Sequence, residues 1–86
     1  MTETILNWVN ICVKRDDKIL LLNRQHDNFK GWIQPGGKVE FPESFFEAAR
    51  RELKEETGLT ALNLELKGIS GFTNSRKKER YVVLRF

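Results

Sequence analysis

Covalent bracing is missing from this chain. Its single cysteine, Cys12, has no internal partner for a disulfide, and its alternation with apolar neighbours reads as a small hydrophobe turned toward a core. No apolar run approaches the roughly 20 residues that a spanning helix needs, so no spanning helix is expected within these residues. The N-terminus Met1-Thr2-Glu3-Thr4 has no basic stretch followed by an apolar one, so no secretory signal is legible. A reducing cytoplasm is the expected compartment. The only histidine, His26, stands in a polar stretch and reads as an exposed side chain. Net charge is small as well: 15 basic against 12 acidic residues leave +3. That excess suits small anionic ligands and gives no reason to expect nucleic acid or a membrane surface as a partner. Repeats, low-complexity tracts and linkers are absent.

What is present fits one small domain covering residues 1–86, with 40% hydrophobic and 31% charged residues. Val9, Ile11 and Val13 alternate with Trp8, Asn10 and Cys12, which predicts a strand. Asp16-Asp17 predicts a turn into a second, more buried strand, Ile19-Leu20-Leu21-Leu22, completing an antiparallel hairpin. Asn23 to Lys30 reads as polar loop and Trp32-Ile33 as a short extended piece. Pro35-Gly36-Gly37 predicts an abrupt change of direction. Leu62, Leu64 and Leu66 alternate with polar residues and predict a strand with one wet face. Gly68 to Gly71 breaks that pattern, Ser75 to Arg80 is a charged turn, and Tyr81 to Phe86 predicts a last strand.

One helix is strongly marked, from Pro42 or Glu43 to Thr57. Proline suits a first helical turn, where its missing N–H would have no partner anyway. Ser44 adjoins the start as a cap, and Gly58 supplies the left-handed terminator. At 100° per residue, Phe45, Phe46, Ala49 and Leu53 share an apolar arc. Glu52, Glu55 and Glu56 occupy the next arc, with only Ala48 beside them, leaving room for a ligand. Like charges at these spacings weaken a helix by roughly 0.2–0.5 kcal/mol per pair. Taken alone, such a run is most often a solvated acidic face. Its alternative is a site for a hard divalent cation, which prefers clustered carboxylate oxygens.

The second reading gains from a longer pattern. Gly37, Glu43 and the run Arg51-Glu52-Leu53-Lys54-Glu55-Glu56-Thr57-Gly58-Leu59 match the Nudix box at each of its defined positions, so the chain resembles the Nudix hydrolase family. Trp32-Ile33-Gln34-Pro35-Gly36-Gly37 resembles the approach to that box in MutT-like members. The resemblance implies an α/β fold, a mixed sheet with the box helix packed on it. It also implies that the chain stops before the family's final strands and C-terminal helix. A second copy completing the core is then one expected partner, and the free edge of the last strand a place where chains could pair.

By the same resemblance, Glu52, Glu55, Glu56 and the Gly37 carbonyl are the expected ligands of Mg²⁺, with Mn²⁺ as the substitute. Glu52 is also the candidate for orienting or deprotonating the attacking water. Arg51 and Glu43 are expected to pair and to orient the ligand glutamates, against the blander reading of a solvated helix arginine. Arg24, Trp32, Gly36 and Lys38 are the expected substrate contacts, with Phe29 a second aromatic that could pack on a base. The implied reaction is hydrolysis of a nucleoside triphosphate to its monophosphate and pyrophosphate, with a lean toward 8-oxo-dGTP. Two rivals stay open: a non-catalytic metal- and nucleotide-binding fragment, and a strand-pairing interaction module.

Overall fold

The one helix forms where its ends are chemically marked. The computed structural model describes residues 2–26 and 29–86. Its elements are β1 (Thr4–Asn10), β2 (Lys14–Arg15), β3 (Lys18–Ile19), β4 (Leu22–His26), β5 (Phe29–Ile33), β6 (Gly36–Lys38), α1 (Phe45–Thr57), β7 (Gly68–Asn74) and β8 (Glu79–Arg85). Ser44 caps α1: its Oγ accepts from the Glu47 N–H at 3.1 Å, and the Glu47 carboxylate accepts from the Ser44 N–H at 2.8 Å. This reciprocal box satisfies two otherwise unpaired donors. It also sets the first residue at Phe45, so Pro42 lies before the cap in a turn rather than in the first helical turn. At the far end Gly58 takes φ 79°, and its N–H donates to Lys54 O at 2.9 Å. Ser44→Ala is expected to lower stability by about 1 kcal/mol. A urea midpoint equal to that of the unmutated chain would show the cap to be idle.

Four strands form a mixed sheet in the order β6-β1-β8-β7, so the last strand is paired on both sides and the free edge expected of it is not there. β1 runs parallel to β8 from Thr4↔Glu79 to Asn10↔Arg85, and antiparallel to β6. Alternation then sorts the side chains by face. Val9, Ile11, Leu84 and Phe86 meet Ala48, Ala49 and Leu53 of α1 in the core. Trp8, Asn10, Phe72, Tyr81 and Arg85 share the other face, where Phe72 stacks on Tyr81 with centroids 4.6 Å apart. No helix covers that face among the described residues.

Several expectations are corrected here. Ala48 is fully buried in the core, so it offers no room to a ligand, while Phe46 is 43% exposed and meets Phe86 edge-on. The first strand begins at Thr4, well before the alternating stretch, because pairing with β8 fixes its start. The Asp16-Asp17 turn does join an antiparallel pair, β2 and β3, with Asp16 at φ 59°, a left-handed value that aspartate tolerates. The apolar run behind it is less enclosed than expected, with Ile19 and Leu21 both exposed. The supposed loop from Asn23 to Lys30 is instead mostly the hairpin β4–β5. The change of direction expected over Pro35-Gly36-Gly37 falls on Pro35, a bend between β5 and β6, while Gly36–Lys38 is itself a strand.

The alternating leucines do not form a strand, and the strand begins at Gly68, where a break was expected. Lys67 N–H donates to Arg85 O at 2.7 Å, so the place beside β8 belongs to β7. Cys12 is half-buried. The side chains of His26 and Phe29 lie outside the described part of the structure.

Candidate functional site

Two carboxylates of α1, one turn apart, meet the backbone of β6. Glu56 Oε1 accepts from the Gly36 N–H at 3.1 Å, and its Oε2 accepts from Arg24 Nη2 of β4 at 2.7 Å. Glu52 lies directly over Gly37: a Cβ built there would fall 2.4 Å from the Glu52 carboxyl carbon. Burial pushes the Glu52 carboxyl above its ordinary range, Arg51 opposes the rise, and a hydrogen bond shared with Glu56 adds to it. Glu55 stands apart. Its side chain is 56% exposed, against 15% and 14% for Glu52 and Glu56, and it leans on Arg51 at 3.1 Å.

Arg51 fastens the loop before the helix to the helix itself. Its Nε and Nη2 donate to the two Glu43 oxygens, Nη2 also to Lys38 O at 3.0 Å, and Nη1 to Glu52 Oε1 at 2.8 Å. Hydrogen bonding to Glu43, then to Glu55 and Glu52, holds the guanidinium far above its usual range despite partial desolvation. Only a planar fork of donors can serve so many acceptors at once. The blander reading, a solvated helix arginine, does not describe it.

Arg51 in turn, with help from the Glu40 N–H, keeps the Glu43 carboxyl below its ordinary range. A depressed folded value adds stability above the unfolded carboxylate pKa of about 4.3, and that stability is lost as pH falls through the folded value. The stability gap between the unmutated chain and Glu43→Gln should therefore be widest near neutrality and close in acid. Urea midpoints taken from about pH 7 down to about pH 3 would read it, and a gap constant with pH would contradict the pairing.

An open cleft of about 630 Å³ lies beside the two carboxylates, with Arg24, Gly36, Trp8 and Asn10 on its walls. Trp32 is 66% exposed and is not part of that wall. Lys38 contributes its carbonyl to Arg51, and its side chain is not a cleft residue. Trp8 and Asn10 were missed as site residues because they fall within an ordinary alternating strand. A large aromatic on the face away from Val9 was the available signal.

Among the described residues, no three Asp, Glu, His or Cys side chains stand close enough to enclose a metal ion. The donor chemistry nonetheless fits a hard cation. Two adjoining, largely buried carboxylates repel each other, and the backbone beside them is trimmed to glycine. Glu52 and Glu56, with the Gly37 carbonyl, are the residues that would hold it.

The α/β fold thus sets a carboxylate pair and a guanidinium on the wall of an open cleft. The NUDIX domain family profile matches residues 6–86. The uncharacterized Nudix hydrolase YvcI of Bacillus subtilis is 43% identical over 70 residues, covering 80% of this chain and 43% of that protein. The ADP-ribose pyrophosphatase of Methanocaldococcus jannaschii is 47% identical over 58 residues, covering 66% and 34% respectively. The crystal structure of the MutT NUDIX hydrolase from Burkholderia pseudomallei superposes with a TM-score of 0.83 at 27% identity, over 96% of this chain and 65% of that one. The chain belongs to the Nudix family, and it spans less than half the length of these two curated relatives.

Proposed function

We propose that this chain carries the cation- and phosphate-binding part of a Mg²⁺-dependent nucleoside triphosphate pyrophosphohydrolase. The observation that carries the reading is the Glu52–Glu56 pair set on the Gly36-Gly37 backbone with Arg24 at its side. Water adds across the anhydride between the α- and β-phosphates, and the products are the monophosphate and pyrophosphate. Mg²⁺, or Mn²⁺ in its place, supplies charge neutralisation and a more acidic water when bound. Glu52, its carboxyl raised by burial, is suited to take the proton from that water. Arg24, held in place by Glu56, would meet a phosphate oxygen, Glu52 and Glu56 would hold the cation, and Arg51 and Glu43 orient the carboxylates. Glu55 completes the proposed ligand set, although here it rests on Arg51.

The substrate proposal is a nucleoside polyphosphate, with 8-oxo-dGTP first because of the Trp32-to-Gly37 approach. The ADP-ribose pyrophosphatase relative makes ADP-ribose the alternative. Residues 1–86 are read as one domain of a cytoplasmic protein. No described helix is long and apolar enough to cross a membrane. A second copy completing the fold remains part of the proposal. The test is pyrophosphate release from a panel of nucleoside triphosphates that includes the oxidised guanine form, with ADP-ribose assayed for monophosphate, in Mg²⁺ and in EDTA. Metal-dependent release supports the reading. Its absence in folded protein, with retained Mg²⁺ and nucleotide binding, would favour a binding fragment.

A further inference from the structure

Among the described residues, one buried side-chain polar atom has no hydrogen-bond partner: Asn10 Oδ1. Leaving such an acceptor unpaired incurs the desolvation penalty of the group with nothing to offset it. In a domain of this size that is a sizeable fraction of total stability. The sheet does not require the amide. In the sheet register Asn10 stands between Gly36 and Arg85, and Asn10 O accepts from the Phe86 N–H of the β8 side at 2.8 Å. Arg85, the cation on the same face, donates to Ser70 Oγ at 2.9 Å and 3.2 Å and leaves Asn10 Oδ1 unserved. Two residues back along the same face, Trp8 keeps 37% of its surface open. Both side chains line the cleft that ends at Glu52 and Glu56.

We infer that Trp8 and Asn10 form the base-reading wall of this cleft: Trp8 stacks on a nucleobase, and the Asn10 amide accepts from an exocyclic amino group on that base. The inference rests on the nucleotide-hydrolase reading and adds to it a selection among bases. The amide torsion of asparagine is broad, so a turn about χ2 brings the closed-off oxygen to a donor in the cleft. Pairing removes the cost of the orphaned acceptor, and that gain goes to a base whose exocyclic amino group reaches it, since the ring N–H that uracil and hypoxanthine keep lies at another point of the base edge. Adenine, guanine and cytosine carry an exocyclic amino group, whereas uracil and hypoxanthine do not. Stacking on an indole is tolerant of base identity, so Trp8 contributes affinity and Asn10 contributes choice.

The test compares kcat/KM for GTP with ITP and for CTP with UTP, pairs in which the amino group is lost. The unmutated chain should favour the amino form in both pairs by about tenfold, the factor set by one unpaired buried acceptor. Asn10→Ala should bring both ratios close to one, and Asn10→Asp, which keeps the acceptor, should preserve them. Trp8→Ala should raise KM for all four nucleotides together and leave the ratios alone. Equal use of both forms, or a preference that survives Asn10→Ala, overturns the inference while leaving the hydrolase reading intact.

If no nucleotide is turned over, the hydrolase reading falls, and the same ratios are then read as Kd values. Quenching of Trp8 fluorescence in a Trp32→Phe background, with Mg²⁺ present, supplies them. Base discrimination lost in Asn10→Ala sustains the inference without catalysis, and failure of every nucleotide to quench overturns it. A circular-dichroism spectrum unchanged in each variant keeps misfolding from being read as lost selectivity.

Discussion

Glu52→Gln is expected to lower nucleotide turnover by about 10²- to 10⁴-fold, the range that a lost general base and a lost cation ligand account for. The fold should survive. Glu52 Oε1 accepts one hydrogen bond from Arg51, and the amide oxygen of glutamine can accept the same bond. The substitution also removes the carboxylate whose ionisation burial and the neighbouring Glu56 work against. Without a cation, the variant should therefore be as stable as the unmutated chain or more stable. Addition of Mg²⁺ should stabilise the unmutated chain more than the variant, because a ligand raises stability only through the state that binds it. Thermal midpoints with and without Mg²⁺, measured beside turnover, read both effects. A variant that keeps full turnover would remove Glu52 from the chemistry. A variant that loses its fold would make the residue structural.

The second large effect separates two neighbouring glycines. At Gly36 a Cβ would fall 2.3 Å from the backbone oxygen of Val9, the residue at the centre of the core. Backbone cannot swing aside as a side chain does, so Gly36→Ala must push β6 away from β1. A cost of about 1–3 kcal/mol is expected for overpacking of this kind, with the Glu56 carboxylate losing its N–H donor as well. At Gly37 the obstruction is the Glu52 carboxylate itself, the end of a flexible side chain. Gly37→Ala should leave the denaturation midpoint close to that of the unmutated chain. It should still lower turnover by about 100-fold, since a displacement of about 1 Å at a reacting group has that effect. Comparable losses of stability in the two variants would refute the distinction.

The helix and much of its chemistry were legible in the sequence because both are local. Ser44 and Glu47 at capping distance, Gly58 after Thr57, and glutamates one turn apart act through neighbours a few residues away. Pairings over long separations were not legible. β4–β5 was hidden because its strands carry polar residues on exposed faces, leaving no apolar alternation to read. Leu62, Leu64 and Leu66 misled in the opposite way. They alternate well, but the backbone beside β8 is already taken by β7, and Leu62 stays 85% exposed. The role of Gly36 and Gly37 was visible as a need for small residues. It was read as a turn, whereas the cause is close approach by Val9 O and by Glu52, which only tertiary structure reveals.

The parallel seam between β1 and β8 governs how this chain reaches its fold. Thr4 pairs with Glu79 and Asn10 with Arg85, so the centre of the sheet joins segments that lie far apart in the sequence. Loop-closure entropy must be met before that seam returns any burial, and topologies of this kind fold slowly. Until β8 has docked, Val9 and Ile11 lack Leu84 and Phe86, their partners from that side of the core. A folding chain would hold α1 and the local antiparallel pairs early and the sheet only once that seam closes. During that interval its apolar strand edges are open to chaperones and to one another.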